Sequence, residues 1–221
     1  MRFRIDLKIF LFLILFYFTK QIETYVLIIA FAIVHELGHL LAGLLLGMKP
    51  NKIEIRPYGV SISFKIIPKD YNKKIANGNL LEIKKILVAL AGPLTNVIVI
   101  LITSNINMGL FLNLMIIYAN ILLILFNLIP MYPLDGGRIL KGILHILFGK
   151  IKAEKYINYI SFITLILITF IASIAILYLK NIAIFIIIIF LWVIHIREDL
   201  INKKRAKIHN LIQKTIEIDK N

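Results

Sequence analysis

Ala32-Ile33-Val34-His35-Glu36-Leu37-Gly38-His39-Leu40-Leu41 lies inside an apolar run from Tyr25 to Met48. The run is long enough to cross a bilayer, and ionisable groups at membrane depth are costly enough to mark a functional position. Length and composition predict a helix here. Residues four apart then sit one turn from each other on a single face, so His35 and His39 can share one metal ion. Glu36 places a carboxylate beside that pair.

The surrounding chain is of the same kind. Of its 221 residues 60% are hydrophobic, above the roughly half expected of a soluble domain. The opening Met1-Arg2-Phe3-Arg4 followed by an apolar run resembles a signal peptide. No small-x-small cleavage site follows, so the run reads as a retained span. The absence of cysteine rules out disulfides and thiolate ligands, which leaves His, Asp and Glu to build any metal site. A net charge of +14 can signal nucleic acid. Here the basic residues fall between hydrophobic runs instead of on one compact stretch, so membrane topology explains them and no nucleic-acid partner is expected.

Six spans are predicted: Phe3–Thr19, Thr24–Met48, Ile83–Thr103, Met108–Ile129, Ile157–Leu179 and Asn181–Ile196. With the N-terminus cytoplasmic, all of the 26 Lys and Arg except Lys20 and Lys180 fall on the inner side, as the positive-inside rule requires. The expected fold is an all-α polytopic membrane protein of about six transmembrane helices, in the cell membrane, with both termini cytoplasmic. Residues 1–196 form its membrane domain. Residues 197–221 form a basic cytoplasmic tail whose apolar residues recur at helical spacing, as in an interfacial amphipathic helix.

The first cytoplasmic loop carries its own pattern. Lys52–Arg56 and Val60–Ile66 alternate apolar with polar around Pro57-Tyr58-Gly59, which predicts a membrane-associated β-hairpin. Its second strand has an apolar face of Val60, Ile62, Phe64 and Ile66 that needs a dry surface. Asn77-Gly78-Asn79 reads as a turn ahead of a short interfacial helix leading into the third span.

A catalytic zinc site normally takes three protein ligands and keeps an open position. Ten of the remaining acids lie at termini, span edges or charged loops. Asp135 instead follows the fourth span in Asn127-Leu128-Ile129-Pro130-Met131-Tyr132-Pro133-Leu134-Asp135-Gly136-Gly137. Two prolines end the helix there and two glycines permit a tight turn. The second and fourth spans both run inward, and His39 lies about 15 Å of helix before Lys49. Asp135 can therefore reach the same depth as the histidines. His145 and His195, each beside basic residues, are the alternatives. In such a centre zinc activates a water and Glu36 serves as general base.

His35-Glu36-Leu37-Gly38-His39, Ala91-Gly92-Pro93-Leu94-Thr95-Asn96 and the Asn127–Gly137 segment together resemble the site-2 protease family of intramembrane zinc metalloproteases (peptidase family M50). The likeness spans roughly Phe3 to Ile196 and is nearest to the stage IV sporulation protein FB branch. The resemblance implies one zinc ion held by His35, His39 and Asp135, with Glu36 as the catalytic glutamate. It implies substrate-side positions at Asn96, Asn127 and Pro133, the asparagines serving the oxyanion or substrate backbone unless they merely join helices. It also implies that the hairpin receives an extended substrate. Only Arg197–Asn221 follows the last predicted span, so the nucleotide-sensing repeats of that branch are not expected, nor is a PDZ insert.

The function expected is cleavage of a membrane-tethered regulator, such as a pro-sigma factor or anti-sigma factor, near the cytoplasmic face. The partners are that substrate, the lipid bilayer and regulatory membrane proteins. The alternative is a non-proteolytic metal-binding scaffold or transporter. Transport favours internal symmetry, which the sequence lacks.

Overall fold

The computed structural model describes residues 2–5, 22–56, 59–65, 74–106, 108–179 and 182–218. In chain order they form β1 (Arg2–Ile5), α1 (Ile22–Leu45), β2 (Lys49–Arg56), β3 (Gly59–Lys65), α2 (Lys74–Asn105), α3 (Leu110–Asn127), α4 (Asp135–Phe148), α5 (Lys150–Leu179) and α6 (Ile182–Ile218). Among the described residues four helices are long and apolar enough to cross a membrane: Tyr25–Leu45, Asn79–Asn105, Leu110–Asn127 and Lys150–Tyr178. Their outward faces carry large apolar side chains. Leu41, Leu101, Phe111 and Phe170 are each more than half exposed, as lipid-facing positions should be.

The expected hairpin is present as the antiparallel pair β2–β3, with Ile53 opposite Ile62 and Glu54 opposite Ser61. A third strand joins it. Arg2–Ile5 pairs parallel with Lys52–Ile55, giving the order β1-β2-β3. Phe3–Ile5 therefore begin a strand where the start of the first span was expected, and the rest of that span lies outside the described residues. The alternation Arg2-Phe3-Arg4-Ile5 suits a strand, but a partner fifty residues away leaves no local signal. The sheet is seated on α1 through Phe64, whose ring fills the space beside Gly43. Phe64 thus finds the dry surface expected for its face of β3.

Two further differences are local. The backbone runs as helix through Asn77-Gly78-Asn79. Gly and Asn weaken a helix by about 1 kcal/mol or less per residue, a cost the long helix behind them carries easily. Asp135–Phe148, between the fourth and fifth predicted spans, is the amphipathic helix α4. It follows a proline-rich entry and buries Gly137, Gly142 and Leu144 on one face. Ile182–Ile218 is one continuous helix, α6, with no break at Ile196 between the expected sixth span and tail.

The α3–α4 connection is fixed at both ends. Met131 and Leu134 pack with Leu165 and Leu191 in a buried cluster. Tyr132 lies against a second cluster of Leu144, Ala153 and Ile157, and its backbone N–H donates to Ser161 Oγ at 3.0 Å. Met131 and Ser161 are almost fully buried. Close packing of these side chains and the hydrogen bond to Ser161 hold the segment delivering Asp135 as an anchored strap. On the far side, Trp192 donates to Thr169 Oγ1 at 3.1 Å and Asn158 donates to Asp199 at 2.7 Å, tying α6 to α5.

Candidate metal centre

His35 and His39 project from one face of α1 towards α2 and the first residue of α4. His35 Nε2 lies 2.9 Å from Asp135 Oδ2, His39 Nε2 lies 3.1 Å from the same oxygen, and the two Nε2 atoms are 3.2 Å apart. All three side chains are buried, with 3–4% exposure. No other group of three or more His, Asp or Glu among the described residues has metal-ligating geometry. Ligand atoms about 2.0–2.1 Å from a tetrahedral zinc stand about 3.3 Å from one another, so this triangle is the right size and slightly contracted.

Hydrogen bonding favours a cation at its centre. His39 Nδ1–H donates to the Val88 carbonyl at 2.6 Å. In the neutral ring that tautomer leaves Nε2 as a bare lone pair facing the lone pairs of Asp135 Oδ2. Two acceptors at this separation repel unless a positive charge lies between them, which a second ring proton or a bound metal ion supplies. Fixing a ligand histidine through its other nitrogen is also how proteins orient metal ligands. Burial pushes the Asp135 carboxyl up. The neighbouring His35 and His39, with Arg138, outweigh that and hold it well below the usual carboxylate range. Arg138 Nη1 reaches Asp135 Oδ1 at 3.4 Å, and Asp135 begins α4, where the helix dipole favours an anion. The group is therefore ionised and ready to bind a metal.

The approach of α2 depends on Gly92. A Cβ there would collide with the Nε2 atoms of both histidines, so only glycine admits the helix so close. Next to it, Pro93 lies inside the helix and removes the N–H that would bond the Ala89 carbonyl. Gly38 plays the matching part on α1, where a Cβ would strike Thr95 Oγ1 and the Ala91 carbonyl. Its small size therefore sets the α1–α2 contact.

The other expected site residues are placed unequally. Glu36 follows His35 on α1 and is partly buried. Asn96 sits one turn beyond Gly92, wholly buried, and neither atom of its amide has a hydrogen-bond partner. Asn127 is occupied locally, donating to the Leu123 carbonyl of its own helix at 3.0 Å. Pro133 lies two residues before Asp135 in the anchored strap. The two alternative ligands lie elsewhere. His145 Nδ1 is 3.2 Å from Glu82, and His195 stacks on Phe162 with centroids 5.9 Å apart. Gly92 and the Val88 carbonyl were not singled out from the sequence. Ala91-Gly92-Pro93 offered a signal for the glycine, whereas a backbone oxygen offers none.

Known proteins resemble this chain in sequence and in fold. The profile of peptidase family M50 matches residues 103–171. A curated zinc metalloprotease of Methanocaldococcus jannaschii is 35% identical over 139 residues, covering 59% of this chain and 37% of that protein. The chain thus spans little more than a third of this relative's length. The solved site-2 protease from the same archaeon superposes with a TM-score of 0.60 at 23% identity, over 88% of each chain. Neither relative is named for the sporulation branch. The chain thus shares the fold of the solved site-2 protease, and its residues 103–171 match the model of peptidase family M50.

Proposed function

We propose that this protein is an intramembrane zinc endopeptidase, with His35, His39 and Asp135 holding one zinc ion and Glu36 as general base. The observation that carries the reading is the buried triangle of His35 Nε2, His39 Nε2 and Asp135 Oδ2, with edges of 2.9, 3.1 and 3.2 Å and His39 Nδ1 turned to the Val88 carbonyl. Held by His35, His39 and Asp135, a zinc ion would supply polarisation of the scissile carbonyl and a water of lowered pKa. Glu36 takes the proton of that water and returns it to the leaving amine. Asn96, with an unpartnered buried amide, would hydrogen-bond the developing oxyanion or the substrate backbone. Asn127 gives an amide N–H to the Leu123 carbonyl, and its Oδ1 would accept from a substrate backbone N–H. Pro133 shapes the strap along which substrate passes.

The substrate class is a membrane-tethered regulatory protein, such as a pro-sigma factor or an anti-sigma factor, cut near the cytoplasmic face. The placement rests on the concentration of Lys and Arg in the loops next to the site, which also puts both termini in the cytoplasm. A metal-carrying scaffold or transporter is the second reading. It leaves Glu36 without a task, because passage of a metal needs ligands and not a base.

Metal removal tests the assignment. Purified protein in detergent micelles is expected to cleave fluorescein-labelled casein. A zinc chelator should remove at least nine-tenths of the activity, and added zinc should restore it. Activity indifferent to complete zinc removal would refute the reading.

A helical substrate must be unwound before its peptide bonds are accessible. β3 is an edge strand of the sheet, and β-augmentation would hold the substrate extended there. Ser61 and Ile62 are adjacent on β3, so one directs its N–H to β2 and the other to the open edge. Proline at the open-edge position should lower cleavage of a membrane-spanning substrate about tenfold with zinc content unchanged. If both proline variants fold, keep zinc and cleave normally, the edge takes no substrate.

A further inference from the structure

The two helices that carry the metal-centre side chains, α1 and α4, are both fastened to α2. On the α1 side, the Val88 carbonyl accepts from His39 Nδ1–H at 2.6 Å. Six residues earlier, about 9 Å along the same helix, Glu82 reaches α4. Glu82 is buried at 6% exposure. Its Oε1 accepts from Lys85 Nζ of α2 at 2.7 Å and lies 3.2 Å from His145 Nδ1 of α4. A buried carboxylate needs a partner of opposite charge, and Lys85 already provides one. The approach of His145 adds a link between two helices. One turn before His145, Gly142 rests on Ile86 so closely that a Cβ would collide with that side chain. Residues 142 and 145 share one face of α4, and residues 82 and 86 share one face of α2. Leu144 packs instead with Ala153 and Ile157 of α5. The far end of α4 is therefore held between two helices, about 15 Å from Asp135 at its first residue.

We propose that Glu82 and His145 are positioning residues of the metal centre: their contact sets the tilt of α4 against α2 and so holds Asp135 at its distance from His35 and His39. The inference rests on the metal assignment within the protease reading and adds two residues that touch neither metal nor substrate. The strap before Asp135 fixes where α4 begins, but a rod held at one end is free to tilt. Gly142 on Ile86 supplies a second point, and His145 beside Glu82 supplies a third, which fixes the direction. With the third contact removed, Gly142 becomes a pivot. Asp135 then moves against histidines that α1 and the Val88 carbonyl keep in place. A buried ionic contact used in this way contributes a defined geometry more than it contributes stability. Helix α2 is thus a common brace, holding His39 through Val88 and the carrier of Asp135 through Glu82.

Metal binding by the full chain in detergent micelles, separated from cleavage, tests this. His145→Ala is the decisive variant, because the side chain is 25% exposed and alanine suits a helix. Its zinc affinity, measured against a competing chelator, should fall about tenfold, the low end for groups that orient ligands from outside the site. Loaded with cobalt(II) instead, it should show visible absorption bands shifted from those of the unsubstituted protein. Glu82→Ala should behave alike. The double variant should lose no more than the larger single loss, since either change removes the same contact. Asn158→Ala, which cuts a tie between α5 and α6, should lower the unfolding temperature and keep zinc affinity within about twofold. Unchanged zinc affinity and an unchanged cobalt spectrum in His145→Ala would overturn the proposal, whether or not Glu82→Ala folds. Losses that multiply in the double variant would overturn it too. So would an equal fall in Asn158→Ala, because the effect would then follow stability and not position. Zinc uptake by the unsubstituted protein reports separately on the metal assignment and casein cleavage on the protease reading, so each can fail independently of this contact.

Discussion

Glu36→Gln is expected to lower cleavage about a thousandfold while the protein keeps its zinc. General-base catalysis contributes typically 10²–10⁴ in rate, and glutamine retains the size and hydrogen bonding of glutamate without its basicity. The centre itself should be untouched, because the triangle of His35, His39 and Asp135 is closed without Glu36. Its orientation comes from Val88 and from the start of α4. Zinc per chain measured by atomic absorption should therefore match the unsubstituted protein, as should thermal unfolding in detergent. Retained zinc with lost cleavage is what separates a hydrolytic centre from a metal-carrying one. A Glu36→Gln protein that cleaved at the normal rate would remove Glu36 from the chemistry and leave the transporter reading standing.

How far the sequence disclosed this arrangement depended on the kind of atom involved. His35 and His39 were legible because helical spacing alone puts them on one face. Asp135 was legible because the chain has few acids and only this one follows a span with prolines before it and glycines after it. The hairpin showed through its alternation. What remained hidden is carried by backbone or by distant pairing. The Val88 carbonyl has no side-chain signature. The parallel partner of Arg2–Ile5 lies on β2, and register between remote strands is not written locally. Helix α4 was concealed by its own entry, since prolines and two glycines signal a loop. Yet Asp135 opens the helix, and Gly136 and Gly137 are needed because the α3–α4 strap crosses them too closely for a Cβ. The carboxylate that identified itself by composition is thus held by packing that composition did not reveal.

Gly92→Ala should separate metal binding from folding stability by moving them in opposite directions. Position 92 is inside α2, where alanine favours helix over glycine by about 1 kcal/mol. Thermal unfolding of the metal-free protein should therefore hold steady or rise. The added methyl, however, meets Nε2 of both His35 and His39. The His39 ring cannot swing away without giving up its 2.6 Å bond to Val88. Zinc affinity measured against a competing chelator should fall at least a hundredfold, approaching the loss caused by Asp135→Ala, which removes a ligand outright. Gly38→Ala supplies the contrast, because its methyl meets Thr95 and the Ala91 carbonyl on α2 and no metal ligand. It should force α1 from α2 and lower the unfolding temperature first. A Gly92→Ala protein with full zinc affinity would mean that α2 does not press on the ligand nitrogens. Zinc affinity lost together with a lowered unfolding temperature would instead make the close approach at Gly92 a requirement of the fold as well as of the site.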